Sequence, residues 1–313
     1  ALDGHVVWHA QFASAFSLLG DDLTGGLERQ LRDILLHALS STSWGEGPFE
    51  MAVLGMSGAE PGSPLIGAFQ RGVKAAVRAK RYLVVHDAVT NLLGASAGQP
   101  GIVVIAGGGA VAYGLSEDRR SWASGGWGYA IGDEGSGYNI GRAAVNSVFR
   151  ALDGRDPATM LADRVLRHFQ VATPVDLKYA ILAGEIDFQD IAGLPPLVAR
   201  IAARGDTTAQ RILQEAGQHL AEAVAAVARA LELQGSLVNI YLTGGLNQEA
   251  RYLVPAFQGA VRKVLPQASF HQPAFEPVVG TLFLAYRELG YPIDELMTQR
   301  VSQSWKRLPS STG

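Results

Sequence analysis

The sequence of 313 residues contains no cysteine. This absence excludes disulfide bonds, thiolate zinc sites, cysteine-bound iron–sulfur clusters and a thiol nucleophile from these residues. The seven histidines are scattered from His5 to His271, and we interpret them as structural or surface residues. We therefore expect no metal site that is held by the protein itself.

Long apolar runs and a strong excess of one charge are also absent. No stretch of about eighteen apolar residues free of charge occurs, and no basic-then-apolar leader opens the sequence, so neither a membrane span nor a signal peptide is predicted. The formal net charge is −3, and the lysines and arginines do not line up along one face, which argues against a nucleic-acid partner. The expectation is a soluble, cytoplasmic protein.

The hydrophobic pattern predicts an α/β protein that is long enough for two domains. Apolar segments with strand character alternate with segments of helical periodicity in the first third of the sequence. Predicted strands lie at 2–10, 52–56, 82–86, 101–106 and 110–113, and predicted helices at 21–39, 65–80 and 89–95. Further helices are predicted at 157–169, 174–183, 195–203 and 206–233, followed by a strand at 237–242 and a helix at 249–264.

The most informative stretch is residues 125–142, which read GGWGYAIGDEGSGYNIGR and contain seven glycines around Asp133 and Glu134. A backbone with so few Cβ atoms can approach a polar ligand closely and can adopt positive φ angles. This pattern is typical of a sugar or phosphate pocket. Because a helix is predicted directly afterwards, the alternative is that the two acids only cap that helix. Capping accounts for one acid but not for the upstream glycines.

Asp87 directly follows the predicted strand at 82–86. Ligands of open α/β sheets bind at the carboxyl ends of the strands, where Asp87 would lie. A carboxylate there can accept the proton of an attacking hydroxyl. The alternative is that Asp87 caps the following helix.

Two further glycine clusters follow predicted strands. Gly107, Gly108 and Gly109 lie between two strand-like segments and form either a hairpin turn or a phosphate cradle of backbone N–H groups. At Gly244 and Gly245 a strand leads through glycines into a helix, as expected where a backbone passes close to a nucleotide. Neither cluster has the spacing of a P-loop or a Rossmann motif. Each cluster is therefore informative only together with the other motifs, in their order along the sequence.

Taken in this order, the motifs resemble those of the N-acetylglucosamine kinase-like branch of the BadF/BadG/BcrA/BcrD ATPase family, within the actin, hexokinase and heat-shock-chaperone ATPase superfamily. The resemblance extends from Leu2 to about Leu289, and its most specific part is Gly-Gly-Trp-Gly followed by residues 132–137 and Gly141-Arg142. It implies an α/β fold with two ribonuclease-H-like lobes, residues 1–106 and 107–313, and a ligand cleft between them. The second lobe would carry a helical insertion at about 154–204.

The resemblance also implies a function and its residues. The protein would transfer the γ-phosphate of ATP to a hydroxyl of an amino sugar, N-acetylglucosamine or glucosamine, with Mg²⁺ carried by the nucleotide, and a homodimer is plausible. Asp87 matches the catalytic base of the family. The matching sugar contacts are Gly126, Trp127 and Asp133, and the matching nucleotide contacts are Gly107, Gly108, Gly109, Gly244 and Gly245.

The sequence departs from the family pattern at several points. The family begins with a strand and an Asp-Gly-Gly-Gly-Thr phosphate loop, and this sequence begins downstream of it. The expectation is either a truncated sequence or a first lobe that lacks that strand and loop. The second phosphate hairpin, Gly-Thr-Gly-Ser in the family, reads Gly107 to Ala110 here without either hydroxyl. An asparagine expected near Ala15 for sugar contact is absent.

These departures leave two alternatives to a sugar kinase: a catalytically silent sugar- or nucleotide-binding protein, and an ATPase that acts on a partner other than a sugar. The lack of cysteine excludes the iron–sulfur activator ATPases of the family and the zinc-binding sugar kinases related to repressors.

Overall fold

The computed structural model describes residues 10–11, 25–40, 47–245, 250–307 and 311–312. The chain forms two compact units, of which unit 1 comprises residues 1–99 and 274–313 and unit 2 comprises residues 100–273. The predicted opening strand, apart from Ala10, and the position of Ala15 lie outside the described residues.

Strands and helices alternate through most of the chain. The strands are β1 (Ala10–Gln11), β2 (Phe49–Met56), β3 (Ala79–His86), β4 (Gly101–Ala106), β5 (Ala110–Leu115), β6 (Ser121–Gly125), β7 (Val238–Thr243), β8 (Ala268–His271) and β9 (Ser311–Thr312). The helices are α1 (Gly25–Ser40), α2 (Ile66–Ala76), α3 (Asp87–Ala95), α4 (Gly137–Leu152), α5 (Met160–His168), α6 (Pro174–Leu182), α7 (Phe188–Ala192), α8 (Pro195–Ala202), α9 (Thr207–Ala230), α10 (Ala250–Val264), α11 (Pro277–Glu288) and α12 (Glu295–Arg307).

Unit 1 is built around the parallel pair of β2 and β3, in which Met56 lies opposite His86. Helices α1 and α2 bury Leu27, Leu31 and Phe69 in a common apolar cluster. Strand β3 leads without a loop into α3. The order of strand, helix and strand confirms the predicted α/β pattern for this part of the chain.

Helix α3 is held by a close contact with α11. The backbone of α11 passes so near to α3 at Gly280 that a Cβ atom there would overlap the carbonyl oxygen of Thr90 and lie 2.7 Å from the amide nitrogen of Gly94. The apolar face of α3 is fully buried, including Leu92 and Leu93. This packing fixes the helix that begins at Asp87.

Unit 2 contains a five-stranded sheet with the order β6-β5-β4-β7-β8. Strands β4, β5 and β6 pair antiparallel, whereas β7 pairs parallel with β4 and β8. The 24-residue helix α9 packs against β5, β6 and α10. The core of the unit is one apolar cluster whose fully buried members include Ile102, Ile140, Leu161, Leu213 and Phe257.

The structure differs from the sequence prediction in some short elements and at one helix end. The predicted helix at 65–80 stops at Ala76, and Ala79 and Lys80 belong to β3. Neither β6 nor α7 is predicted, because β6 is an edge strand with an exposed Trp122 and α7 has only five residues. The division into units also differs from the predicted boundary at residue 106. Strand β4 belongs to unit 2 because it pairs with β5 and β7, and residues 274–313 belong to unit 1 because α11 packs on α3.

Within the described ranges, no helix combines the length and the apolar character that crossing a membrane requires.

We expect Gly280→Ala to destabilise the protein by about 1–3 kcal/mol, because the added methyl group overlaps the Thr90 carbonyl and α11 must shift. The free energy of unfolding is measured by chemical denaturation. Gly259→Ala in α10 is the matched control, since nothing lies within 4 Å of its added Cβ atom. The control should be as stable as the wild type or more stable by up to about 1 kcal/mol, since alanine favours helix over glycine. Equal stability of both variants would contradict the packing argument.

Candidate functional site

Asp87 lies where β3 ends and α3 begins. The N-cap of α3 is His86, whose Nδ1 atom accepts a hydrogen bond of 3.1 Å from the Ala88 N–H. Asp87 is the first residue inside the helix. The structure therefore assigns the cap to His86 and rejects the alternative in which Asp87 caps the helix.

The carboxylate of Asp87 is reachable from solvent, with 41% of the side chain exposed. Its Oδ1 atom lies 3.1 Å from Nδ1 of His86. The same Nδ1 atom thus contacts both the Ala88 N–H and the Asp87 carboxylate. Apart from this contact with His86, no hydrogen bond to the Asp87 carboxylate is found in the described part of the chain, so the carboxylate can accept a hydroxyl proton.

In unit 2, Gly107, Gly108 and Gly109 connect β4 and β5, so the predicted hairpin turn is confirmed. The Gly107 N–H donates to the Gly109 carbonyl at 3.0 Å. The Gly107 carbonyl in turn accepts a hydrogen bond of 2.7 Å from the N–H of Gly137, the first residue of α4. The hairpin is therefore bonded directly to the start of that helix.

The segment between β6 and α4 is a loop that depends on left-handed backbone conformations. Gly125, Gly126, Gly128 and Gly135 all have positive φ angles, and so does Asp133 at +59°. Such angles cost little at glycine and are uncommon for other residues. The backbone conformation of this loop is therefore a sufficient reason for these four glycines, without any ligand.

The cap of α4 is Ser136, whose hydroxyl accepts the Asn139 N–H at 3.1 Å. Asp133 and Glu134 precede the cap and do not take its place. The structure therefore rejects the alternative in which the acidic pair only caps the helix.

Asp133 is a buried acid, with 6% of its surface exposed. Burial raises the pKa of its carboxyl above the ordinary value of 3.8, and the backbone N–H groups of Ala110 and Gly128 partly oppose this rise. The Oδ2 atom lies 2.8 Å from the position that a Cβ atom on Gly109 would occupy. The sequence-predicted sugar contact therefore lies against the sequence-predicted phosphate hairpin.

Trp127 is 72% exposed although it belongs to the same loop as this buried acid. Its loop is instead anchored by Tyr129, whose ring packs on Tyr138 at 5.1 Å and on Phe188 at 4.3 Å between centroids. Tyr138 and Phe188 complete the cluster at 4.9 Å. The indole of Trp127 is thus available to a ligand.

Phe188 belongs to this region, although it is not among the residues predicted from the sequence. Phe188 is the first residue of α7, and its Cζ atom lies 3.9 Å from the position of a Cβ on Gly108. No local motif marks it, because its contacts are with residues fifty or more positions away in the chain. In the sequence, only the presence of Tyr129 and Tyr138 in the glycine-rich stretch indicates that an aromatic cluster forms here.

Gly244 is required by the fold itself. Its φ angle is +91°, and a Cβ atom there would overlap the carbonyl oxygen of Ala106 at the end of β4. Gly245 is also described, but residues 246–249 lie outside the described part. A nucleotide contact at Gly244 and Gly245 remains a prediction.

Unit 2 thus brings together Gly107, Gly109, Gly126 and Asp133. Gly126 is joined to the hairpin by its N–H, which donates a hydrogen bond of 2.8 Å to the carbonyl of Ala110. Asp87 belongs to unit 1. Among the residues that the structure describes, no three His, Asp or Glu side chains are placed to hold a metal ion.

The raised pKa of Asp133 predicts a pH-dependent stability. In the folded protein the carboxyl keeps its proton at pH values where the unfolded chain, with a pKa near 3.8, has lost it. The contribution of Asp133 to the free energy of unfolding therefore falls as the pH rises from 3.8 through the raised pKa. Asp133→Asn does not titrate and tolerates the positive φ.

We expect the stability of Asp133→Asn relative to the wild type to increase from pH 3.5 to pH 7, as measured by urea unfolding at several pH values. A difference that is constant across this range would contradict a raised pKa.

The family model described as the BadF/BadG/BcrA/BcrD ATPase family matches residues 24–285. An N-acetylmuramic acid/N-acetylglucosamine kinase from Clostridium acetobutylicum is 32% identical over 208 residues, which are 66% of this chain and 68% of the relative. An N-acetyl-D-glucosamine kinase from Dictyostelium discoideum is 26% identical over 284 residues, which are 88% of this chain and 89% of the relative.

Solved structures agree with this relationship. A protein from Chromobacterium violaceum, provisionally described as an N-acetylglucosamine kinase, superposes with a TM-score of 0.64 at 30% identity, covering 82% of this chain and 86% of its own. A hexokinase from Schistosoma mansoni in complex with glucose superposes with a TM-score of 0.51 at 10% identity, covering 82% of this chain and 75% of its own, which shows a common fold. The fold is therefore the actin-like ATPase fold of the sugar kinases, and the chain belongs to the BadF/BadG/BcrA/BcrD ATPase family.

Proposed function

We propose that this protein is an ATP-dependent kinase that transfers the γ-phosphate to a hydroxyl of an amino sugar, N-acetylglucosamine or glucosamine. The observation that carries the proposal is the buried acid Asp133, held on a glycine-rich loop against the glycine hairpin of unit 2. Burying a carboxyl away from water costs free energy. A buried carboxyl beside glycine backbone is suited to bind a hydroxyl-rich ligand.

The substrate class is supported by the relatives. The names of the Clostridium and Dictyostelium relatives have N-acetylglucosamine in common, and the Clostridium name adds N-acetylmuramic acid. N-acetylglucosamine is therefore the first substrate to test, followed by glucosamine.

Each proposed sugar contact has a physical role. The exposed indole of Trp127 offers an apolar surface to the C–H face of a sugar ring. The carboxyl of Asp133 bonds sugar hydroxyls and fixes the orientation of the ring. Gly126 lets the backbone approach the ligand, since no side chain stands in the way.

Asp87 is the proposed catalytic base. Its carboxylate accepts the proton of the sugar hydroxyl while the hydroxyl oxygen forms a bond to the γ-phosphorus of ATP. The bond between the γ-phosphorus and the bridging oxygen breaks, and its electron pair leaves with ADP. The proton on Asp87 then passes to solvent. ATP enters as its magnesium complex, which is a substrate of the reaction.

The hairpin is the proposed contact for the phosphates. Among the described residues, the N–H groups of Gly108 and Gly109 donate no hydrogen bond, whereas that of Gly107 is used by the Gly109 carbonyl. Two unused donors at a side-chain-free turn suit a phosphate oxygen. Gly244 and Gly245 are the proposed contacts of the adenosine.

A catalytically silent binding protein is the second candidate. It is favoured by Gly108 and Ala110, which provide no hydroxyl to the transferring phosphoryl group. Losing such contacts can cost on the order of a hundredfold in rate.

We expect the purified protein to form ADP from Mg-ATP in the presence of N-acetylglucosamine. Asp87→Asn should lower kcat by about a hundredfold or more, because general-base catalysis contributes that much. The dissociation constant of the sugar, measured by calorimetry, should change less than twofold.

Asp33→Asn on the exposed side of α1 is the control and should keep full activity. An unchanged kcat in Asp87→Asn would refute the role of Asp87. Sugar binding by the wild type without ADP formation from any hexosamine would favour the silent binding protein.

The exposed indole of Trp127 gives a second prediction. Trp127→Ala should raise the dissociation constant of N-acetylglucosamine about tenfold, which corresponds to about 1.4 kcal/mol of lost contact. Trp122→Ala in β6 is the matched control, because that indole is also exposed but lies outside the proposed site. Calorimetry on both variants measures the effect, and equal losses in both would argue against a direct contact of Trp127 with the sugar.

A further inference from the structure

We infer that Gly109 is a positioning residue for the sugar. Because Gly109 has no side chain, the Asp133 carboxyl can lie directly against the hairpin from Gly107 to Ala110, and the hairpin holds the carboxyl in place. This inference rests on the proposed sugar contact of Asp133. It gives the hairpin a role besides phosphate binding.

The first support is the contact itself. The Oδ2 and Cγ atoms of Asp133 lie 2.8 Å and 3.3 Å from the position of a Cβ on Gly109. The backbone of Gly109 does not have a positive φ angle, so an alanine would fit the backbone conformation. The obstacle to a side chain at this position is therefore the carboxyl of Asp133 and not the turn.

The second support is that Asp133 cannot easily move away. Its own φ angle is +59°, and its carbonyl accepts the Ser136 N–H at 3.0 Å just before α4. The N–H groups of Ala110 and Gly128 face its carboxyl from the hairpin and from the loop. The Gly126 N–H donates to the Ala110 carbonyl, which ties the loop to the hairpin. A side chain at position 109 would thus displace the carboxyl from both donors.

The third support is the contrast within the hairpin. Nothing lies within 4 Å of a Cβ on Gly107, and the nearest atom to a Cβ on Gly108 is Cζ of Phe188 at 3.9 Å. A phosphate cradle alone would give all three glycines a similar reason to be glycine. The steric requirement from Asp133 applies to Gly109 and provides a matched comparison with Gly108.

The experiment compares Gly109→Ala with Gly108→Ala. Calorimetry with N-acetylglucosamine in the absence of nucleotide measures the dissociation constant of the sugar, which a role in phosphate binding alone would not change. Gly109→Ala should raise this constant at least tenfold, and Gly108→Ala should change it less than twofold.

A second readout follows Asp133 directly. The pKa of Asp133 is measured from the pH titration of its carboxyl carbon by ¹³C NMR. In Gly109→Ala the displaced carboxyl gains water, so the pKa should fall towards its ordinary value, while in Gly108→Ala it should stay raised.

A double-mutant cycle separates positioning from general damage to the fold. Asp133→Gly accepts the positive φ angle and removes the carboxyl that meets position 109. In this background Gly109→Ala should change the sugar dissociation constant less than twofold. A further tenfold loss there would overturn the inference, because the alanine would then act without Asp133.

The outcomes distinguish this inference from the proposed function. If the wild type binds N-acetylglucosamine and both alanine variants bind it equally well, the positioning role is overturned and the proposed function stands. If the wild type binds no amino sugar, the proposed function and the role of Gly109 in sugar binding both fail. An unchanged titration of Asp133 in Gly109→Ala overturns the positioning itself, with or without sugar binding.

Discussion

The hydrogen bond from the Gly137 N–H to the Gly107 carbonyl joins two segments that are thirty residues apart, the β4–β5 hairpin and the start of α4. A helix begins with N–H groups that have no partner within the helix, and here those of Gly137 and Tyr138 donate to carbonyls of the hairpin. Such a bond contributes only about 1 kcal/mol net. Its importance is geometric, because it fixes where the loop from 126 to 136 must close. The buried position of Asp133 depends on that closure.

The glycines of the candidate site have different physical reasons to be glycine. Gly126 has a positive φ angle, Gly244 passes the carbonyl of Ala106, and Gly109 faces a carboxyl. Gly108 has none of these constraints. A glycine-rich motif therefore contains glycines that the backbone conformation requires and glycines that a ligand requires. The sequence alone does not distinguish the two kinds.

Much of the fold could be predicted from the sequence because its signals are local. The apolar run of β4 and the helical stripe of α9 determine these elements, and Asp87 follows its strand as expected. The cap at Ser136 is not among the predictions, which offer Asp133 and Glu134 for this role, although serine is among the preferred N-cap residues. Edge strand β6 and the five-residue α7 give weak patterns and were not predicted.

The geometry of the site could be predicted only in part. The motif singles out Asp133, but its burial against Gly109 depends on a contact between two loops that are distant in sequence. The position of Phe188 depends on the packing of α4 against α7, which no periodicity reveals.

The cluster of Tyr129, Tyr138 and Phe188 gives the helical segment around α7 a mechanical role. Two of its rings belong to the glycine-rich stretch and the third to α7, so the rings connect the loop with its positive φ angles to a helix. Through Phe188, α7 then supports the loop that carries Tyr129. A relative that lacks this segment would need other side chains to pack against Tyr129 and hold its loop in place.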